Sequence, residues 1–458
     1  MPPEPTQALA DFAATLSFDA IPERTREACK DLLLDALACA LAGHQGEETA
    51  QLAGLAGALG QSDESSVISG GRLSLAGATL LNGYLITSVT MCDTCRELLT
   101  HIMPEVLPPT LAIAERDGIG GRDLLVALAA GSEVAIRVGI GLDYPVFRAK
   151  GWHGPGVLGP FGAAAAVGRL RGFDSETMAR AFGLAGSQSA GTFAAWGTPT
   201  VKFHQCRGAL SGLMAALLAE QEFVATREFL TEPDGGLYNT YAEGGKPEAA
   251  LAGLGTVWEL EKLALRPWPS ASSIQGMITA MIELVEQHEI DPAQVEQVRI
   301  TLSPPVFKLH GGFATYAAKF EAMLSAHYVV TAILHDRALT LEQFEPARYD
   351  AAALRSFAAN RVVVTADPSL SGHESRAEIE TADGAVLESY CEFPRGAPEN
   401  PLTRAHIIDK FRTYAAPRLS EAGIETVIDA VTRLEELDSA ATLFDMLRAA
   451  PQPARRSA

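Results

Sequence analysis

A mainly helical protein with a second, smaller α+β domain is the fold class this sequence predicts. Three observations lead there. Ala- and Gly-rich apolar segments with helical spacing fill the first 265 residues; strand-like alternation appears after Arg266; helical spacing returns near the end. With 458 residues, 47% apolar and 20% charged, the chain is long enough for two cores and far from a disordered composition. The expected division is a helical domain over 1–265, an α+β domain over 266–395, and C-terminal helices over 396–458 that rejoin the first domain.

Each element has a local reason. "IPERTREACKDLLLDALACALAG" places Pro22 near a helix start, apolar residues at helical spacing and Gly43 as a stop. "GGRDLLVALAAGSEVAIRVGIGL" and "GALSGLMAALLAEQEF" follow the same pattern, and their small residues allow close helix packing. "GPFGAAAAVGRL" is apolar all round, which predicts a buried helix. Beyond Arg266, "VEQVRITLS", "NRVVVTA" and "RAEIETADGAVLESYCEF" alternate as strands, the last turning at Ala382-Asp383-Gly384. Helices are expected near 271–288 and 320–336 between them. The final "APQPARRSA" reads as a frayed end.

Composition excludes some functions. A formal charge of −20 with no Lys/Arg cluster argues against nucleic acid, although a few local cations can still bind an anionic substrate. The N-terminus lacks a basic region followed by an apolar run, and no 18-residue apolar stretch is free of charge, so neither a signal peptide nor a membrane span is expected. Six scattered cysteines in a large chain fit a reducing cytoplasm, the expected location.

Polar residues gather in three segments. In "MCDTCRELLTHIMPEVLPP", Cys92 and Cys95 stand at CxxC spacing with Asp93, Thr94 and His101 beside them. A structural zinc site needs four ligands, and a redox pair needs a βαβ context; neither is visible, so the cysteines read as packing and no metal is expected. In "YPVFRAKGWHGPG", Tyr144, Arg148, Lys150 and His153 precede the buried Ala-rich helix, whose N-terminus suits an anion. In "WGTPTVKFHQCRGALSG", Lys202, His204 and Arg207 open another apolar helix, a combination that suits carboxylate binding or proton transfer. His327 and Tyr328 read as core, and the histidines at 44, 288, 310, 335, 373 and 406 lack local support for function.

Taken in order, "LADFAATLSFDAIPERTREACKDLLLDALACALAG", "NGYLITSVTMCDT", "HIMPEVLPPTLAIAERDGIGGRDLLVALAAGSEVAIRVG", "GWHGPGVLGPFGAAAAVGRLRGFD", "KFHQCRGALSGLMAALLAEQEF", "LRPWPSASSIQGMITAMIELV" and "FEAMLSAHYVVTAILHD" resemble the MmgE/PrpD family. The resemblance implies a large discontinuous helical domain, a smaller α+β domain, a homodimer, no cofactor and a small polycarboxylate substrate. Within this family are 2-methylcitrate dehydratase, cis-aconitate decarboxylase and iminodisuccinate epimerase, which share formation or quenching of a carbanion next to a carboxylate. The intact Gly-Trp-His motif carries over to His153, and the Asp-Thr then His-Pro segment to Asp93, Thr94 and His101, although Ile-Met-Pro follows His101 in place of Pro-Gly.

Other family positions differ. Thr87, Thr90 and Cys92 replace a histidine and two acids; Lys202 lies two residues before His204 instead of three; Arg266 opens "RPWPSASSIQ", with Gln275 in place of a histidine. Dehydration needs an acid at the leaving oxygen, so these losses bear most heavily on it. Epimerisation needs a base on each face of a carbon acid plus cations for the enediolate. The sequence therefore points first to a cofactor-independent epimerase of an iminodisuccinate-like acid. Lys202 and His153 are its expected opposed bases, with His101 and Tyr144 as further catalytic candidates. Asp93, Thr94, Thr90, Arg137, Arg148, His204, Arg207, Arg266 and Gln275 are its expected substrate contacts, with Arg137 also placed one helical turn from Glu133, where pairing is the commoner fate. A dehydratase- or decarboxylase-type lyase is the alternative, and a non-catalytic carboxylate binder the third reading.

Overall fold

The computed structural model describes residues 4–448; the "APQPARRSA" tail lies outside them. The chain separates into two compact units. One comprises the residues up to Ser88, Cys92–Leu263 and the chain from Thr403 onward; the other comprises Val89–Met91 and Ala264–Leu402.

The first unit is helical, with one two-stranded exception (Ser65–Ser66 with Arg72–Leu73) that the helical spacing did not announce. Its centre is the Gly154–Leu170 helix, packed between Gly121–Gly141 and Thr200–Glu220. Every residue from Gly154 to Gly168 is buried, as its all-round apolarity requires. Small residues set the spacing. A Cβ on Gly131 would lie 2.6 Å from the Gly162 carbonyl oxygen, and one on Gly212 would lie 2.5 Å from that of Pro160. Alanine at either site would push two backbones apart.

Gly43 plays the same part. The Glu23–Gly43 helix does not stop at a left-handed glycine; it continues into His44 in ordinary helical geometry, and a Cβ on Gly43 would meet the Leu85 carbonyl at 2.0 Å. Its role is close approach to the Leu75–Ser88 helix. The long Gly121–Gly141 helix is apolar enough to cross a membrane by composition, yet it is a buried core helix.

The C-terminal return is fixed by a buried ion pair. Lys410, on the Arg404–Ala415 helix, places Nζ 2.6 Å from Asp35 Oδ1 on the Glu23–Gly43 helix. Removing one partner of such a pair costs about 3–5 kcal/mol, because the other charge stays buried.

The second unit carries a four-stranded sheet in the order Val362–Ala366, Val295–Leu302, Ser375–Thr381, Val386–Cys391. The first pair is parallel and the others antiparallel. Val298, Ile300 and Leu302 point inward; an irregularity between Val295 and Gln297 shifts the alternation by one residue, which buries Val295 as well. The Ser375–Cys391 hairpin turns where Gly384 adopts φ +84°. Gln275–Gln287 forms one helix, while the expected 320–336 helix is broken at Ser325, whose Oγ accepts the Tyr328 N–H and starts a new helix over Ala326–Asp336.

Candidate active site

Three histidines of the first unit come together around the N-terminus of the Gly154–Leu170 helix. His153 is the residue immediately before that helix, and its own N–H donates to the Gly191 carbonyl at 3.0 Å. The loop is thereby pinned, and the imidazole is only 6% exposed. Its Nδ1 lies 2.9 Å from Nδ1 of His204, on the second turn of the Thr200–Glu220 helix. Gly191 makes room for this contact: a Cβ there would sit 3.0 Å from His204 Nδ1.

Burial pushes the His153 pKa down to about 3, helped by the nearby His204, His101 and Arg148. His204 is shifted the same way by burial and by Arg207. Both rings are therefore neutral at neutral pH, since charging either one loses hydration that nothing nearby replaces.

His101 is oriented from the 89–102 loop. Asp93, 1% exposed, accepts the Ile102 and Met103 N–H groups with its carboxylate at 2.9 and 3.1 Å, capping the Met103–Asp117 helix. Its backbone carbonyl lies 2.6 Å from His101 Nδ1. A carbonyl can only accept, so neutral His101 carries its proton on Nδ1 and leaves Nε2 as a lone pair. Thr94 Oγ1 and Cys92 Sγ flank the same nitrogen at 3.3 and 3.7 Å. The Asp93 carboxylate thus builds the loop, and the expected substrate contact is replaced by this capping role.

The four arginines and Lys202 singled out in the sequence have different fates. Arg137 pairs with Glu133 at 2.8 Å and donates to the carbonyls of Ala250, Ala252, Gly253 and Val257, so it is a fully buried structural clamp. Arg207 donates to the carbonyls of Gln188, Gly156 and Ala190 and to Ser211 Oγ. Neither retains the free fork that carboxylate binding requires, which corrects both expectations. Arg266, in the second unit, donates to the Ser270 carbonyl.

Arg148 differs. Its guanidinium stacks 3.3 Å over the Phe193 ring, which lies parallel to Trp196, and among the described residues it has neither a hydrogen bond nor an ion pair. Beside it, burial raises the Tyr144 pKa to about 12, keeping that phenol protonated.

Lys202 is buried, but its ammonium lies 3.7 Å from Glu48 Oε2, which also accepts Tyr84 OH at 2.5 Å. The reason is helical geometry. Residues two apart are about 200° apart around a helix, so Lys202 and His204 cannot share a face. The ring partner of His153 is His204, while Lys202 has the Glu48 carboxylate beside its ammonium.

In the second unit, Thr90 adopts φ +58°, an uncommon conformation for a β-branched residue, with its buried hydroxyl unpartnered. Gln275 turns its Nε2 to the carbonyls of Trp268, Ser270 and Ala271 and leaves Oε1 without a partner. Cys92 and Cys95 are buried thiols, not joined to each other, and burial pushes Cys95 up to about 12. Among the described residues no three His, Cys, Asp or Glu side chains form a metal-holding group.

One group escaped the sequence reading. Glu105 is wholly buried with neither carboxyl oxygen hydrogen-bonded, and burial followed by the Asp93 charge raises its pKa well above the usual range. It fills space left by Gly159, where a Cβ would lie 2.5 Å from the Glu105 carboxyl carbon. The signal was an acid inside "MPEVLPPTLAIA", a segment that is otherwise nearly all apolar.

Comparison with known proteins agrees with this architecture. Residues 7–250 match the model of the MmgE/PrpD N-terminal domain, and residues 268–436 match that of the MmgE/PrpD C-terminal domain. A cis-aconitate decarboxylase-like protein, oryM, from Aspergillus oryzae is 28% identical, with 94% of each chain covered. Cis-aconitate decarboxylase from Aspergillus terreus is 25% identical over 96% of this chain and 95% of the relative. The Homo sapiens cis-aconitate decarboxylase is 25% identical over 98% and 95%.

Proposed function

This chain belongs to the MmgE/PrpD family, and on that premise we propose that it is a lyase that decarboxylates a small unsaturated polycarboxylate of the cis-aconitate type. The relatives shift the balance from the epimerase that the sequence suggested first. The chemistry is consistent with that shift. Loss of CO2 expels no hydroxide, so the acids replaced by Thr90 and Cys92 are not needed at a leaving oxygen. What it needs is a cation for the retained carboxylates, a poorly hydrated place for the departing one, and a proton for the carbanion.

The observation that carries the reading is an uncommitted guanidinium beside neutral imidazoles: Arg148 on Phe193, adjoining His153. Arg148 offers two parallel N–H groups to a carboxylate. The C–C bond to the departing carboxylate breaks, its electron pair enters the conjugated system of the remaining acid, and His153 Nε2–H protonates the carbon. Charge is concentrated in the starting carboxylate and dispersed in the transition state, so a dry pocket favours the step.

Incubation with cis-aconitate in D2O tests this. The expected result is one CO2 released per dicarboxylate formed, with one deuterium on the product. Deuterium exchange at a carbon next to a carboxylate without CO2 release would instead establish the epimerase reading. Saturable binding with neither reaction would leave a carboxylate-binding protein.

A further inference from the structure

We propose that His153 and His204 work as a two-imidazole proton relay, in which His204 reloads His153 through their shared Nδ1–H–Nδ1 bond during turnover. The inference rests on the proton-consuming reaction proposed above for the same site.

The geometry carries it. Two Nδ1 atoms at 2.9 Å can bond only if one bears the proton and the other a lone pair. In a neutral pair, the ring that donates from Nδ1 must have a bare Nε2, and the ring that accepts at Nδ1 must carry its proton on Nε2. The pair therefore always presents one Nε2 acid and one Nε2 base. Moving the bridging proton exchanges those roles without creating net charge.

The surroundings favour this neutral exchange. His101 and Arg148 face His153 and Arg207 faces His204, so a second proton on the pair is opposed from both sides. Gly191 holds both partners: its carbonyl accepts the His153 N–H, and its missing Cβ leaves space for His204 Nδ1.

The step balances. Decarboxylation consumes one proton per CO2. His153 gives its Nε2 proton to carbon and takes the bridging proton from His204 on Nδ1. His204 then takes a solvent proton on Nε2, being the more exposed residue of the two at 9% against 6%. Both rings end neutral with the tautomers exchanged, and solvent exchange resets them. His204 thus acts through His153 and does not touch the substrate.

Two measurements test the proposal. Nitrogen-15 imidazole NMR on the resting enzyme should find, for residues 153 and 204, one ring protonated on Nδ1 and the other on Nε2; two Nε2–H rings would overturn the relay. This arm needs no turnover, so it still decides if the wild type releases no CO2 and the proposed function fails. The second arm compares His204→Asn with His204→Ala. Asparagine can occupy the Nδ1 position and hold His153, but it has no second nitrogen to pass a proton through. A relay predicts a fall in kcat of about 10²-fold or more in both variants, with KM nearly unchanged. His204→Asn at wild-type kcat would show that His204 only positions its partner, and would overturn the proposal.

Discussion

The first unit buries His153 and the second buries His310, and the contrast between them separates chemistry from architecture. Both rings are desolvated and both pKa values fall, to about 3 and about 4. His310 donates from Nδ1 to the Leu324 carbonyl at 2.8 Å and accepts the Ser273 hydroxyl on Nε2 at 2.7 Å. Every ring nitrogen has a fixed partner. Among the described residues His153 commits only Nδ1, and commits it to another imidazole, beside a cation that has no anion there. Burial alone therefore does not mark a functional histidine, and neither does an unpartnered nitrogen, which the buried His327 also has at Nδ1; what sets His153 apart is an imidazole partner together with a neighbouring cation.

Substitution breaks the comparison most sharply. His153→Asn is expected to lower kcat by about 10²–10⁴-fold while leaving the denaturation midpoint nearly unchanged. His310→Asn should do the opposite, removing about 1–3 kcal/mol of stability through the hydrogen bonds it leaves unmade, with kcat of the folded enzyme kept. Steady-state kinetics and urea titration of both variants decide. A catalytic loss at 310 or a folding defect at 153 would reverse the assignment.

Arg148 extends the contrast to cations. Arg148→Ala should raise KM by about 10–100-fold, the loss of one charge-assisted contact of roughly 1.5–3 kcal/mol. Arg148→Lys should recover part of this, because a point charge lacks the planar fork. Arg207→Ala should instead lower the melting temperature, since three carbonyls lose their donor. Equal KM effects at 148 and 207 would remove the reason for choosing Arg148.

These contrasts show what the chain disclosed before folding. The strands around Val295–Leu302 and the turn at Gly384 were legible because alternation and turn chemistry are local. His153 was legible through Gly-Trp-His. Its partner was not, because a 51-residue separation gives no periodic signal. Glu133, one helical turn from Arg137, was a legible partner for it, whereas Arg207 looked like a free cation because the carbonyls that occupy it come from segments only the fold brings near. That Lys202 and His204 lie on different faces was legible in advance from their two-residue spacing on a helix.

Titration tests what the two histidines share. Each is lowered from an unfolded value near 6.5, so below that pH the unfolded chain takes up protons that the native rings refuse. Stability is fully present above about 6.5 and is lost as pH falls toward the folded values of about 4 and 3. Each ring contributes a slope of about 1.4 kcal/mol per pH unit within that window. Urea midpoints at pH 7, 6 and 5 should fall, and His310→Asn should flatten the decline by one histidine's share. An unchanged slope would mean that His310 already accepts a proton when folded.

The smallest expected effect lies in the partner of His310. Ser273→Ala removes the hydroxyl that donates to Nε2 and leaves the Leu324 contact in place. The cost should be about 1 kcal/mol, and the His310 pKa should rise, because an Nε2 lone pair freed of its donor protonates more readily. Histidine proton NMR would follow that rise directly. No change in kcat is expected, since a sealed Ser–His pair has no nitrogen left over for substrate. A drop in kcat beyond tenfold in this variant would make the second unit's histidine a participant and erase the distinction on which the assignment of His153 depends.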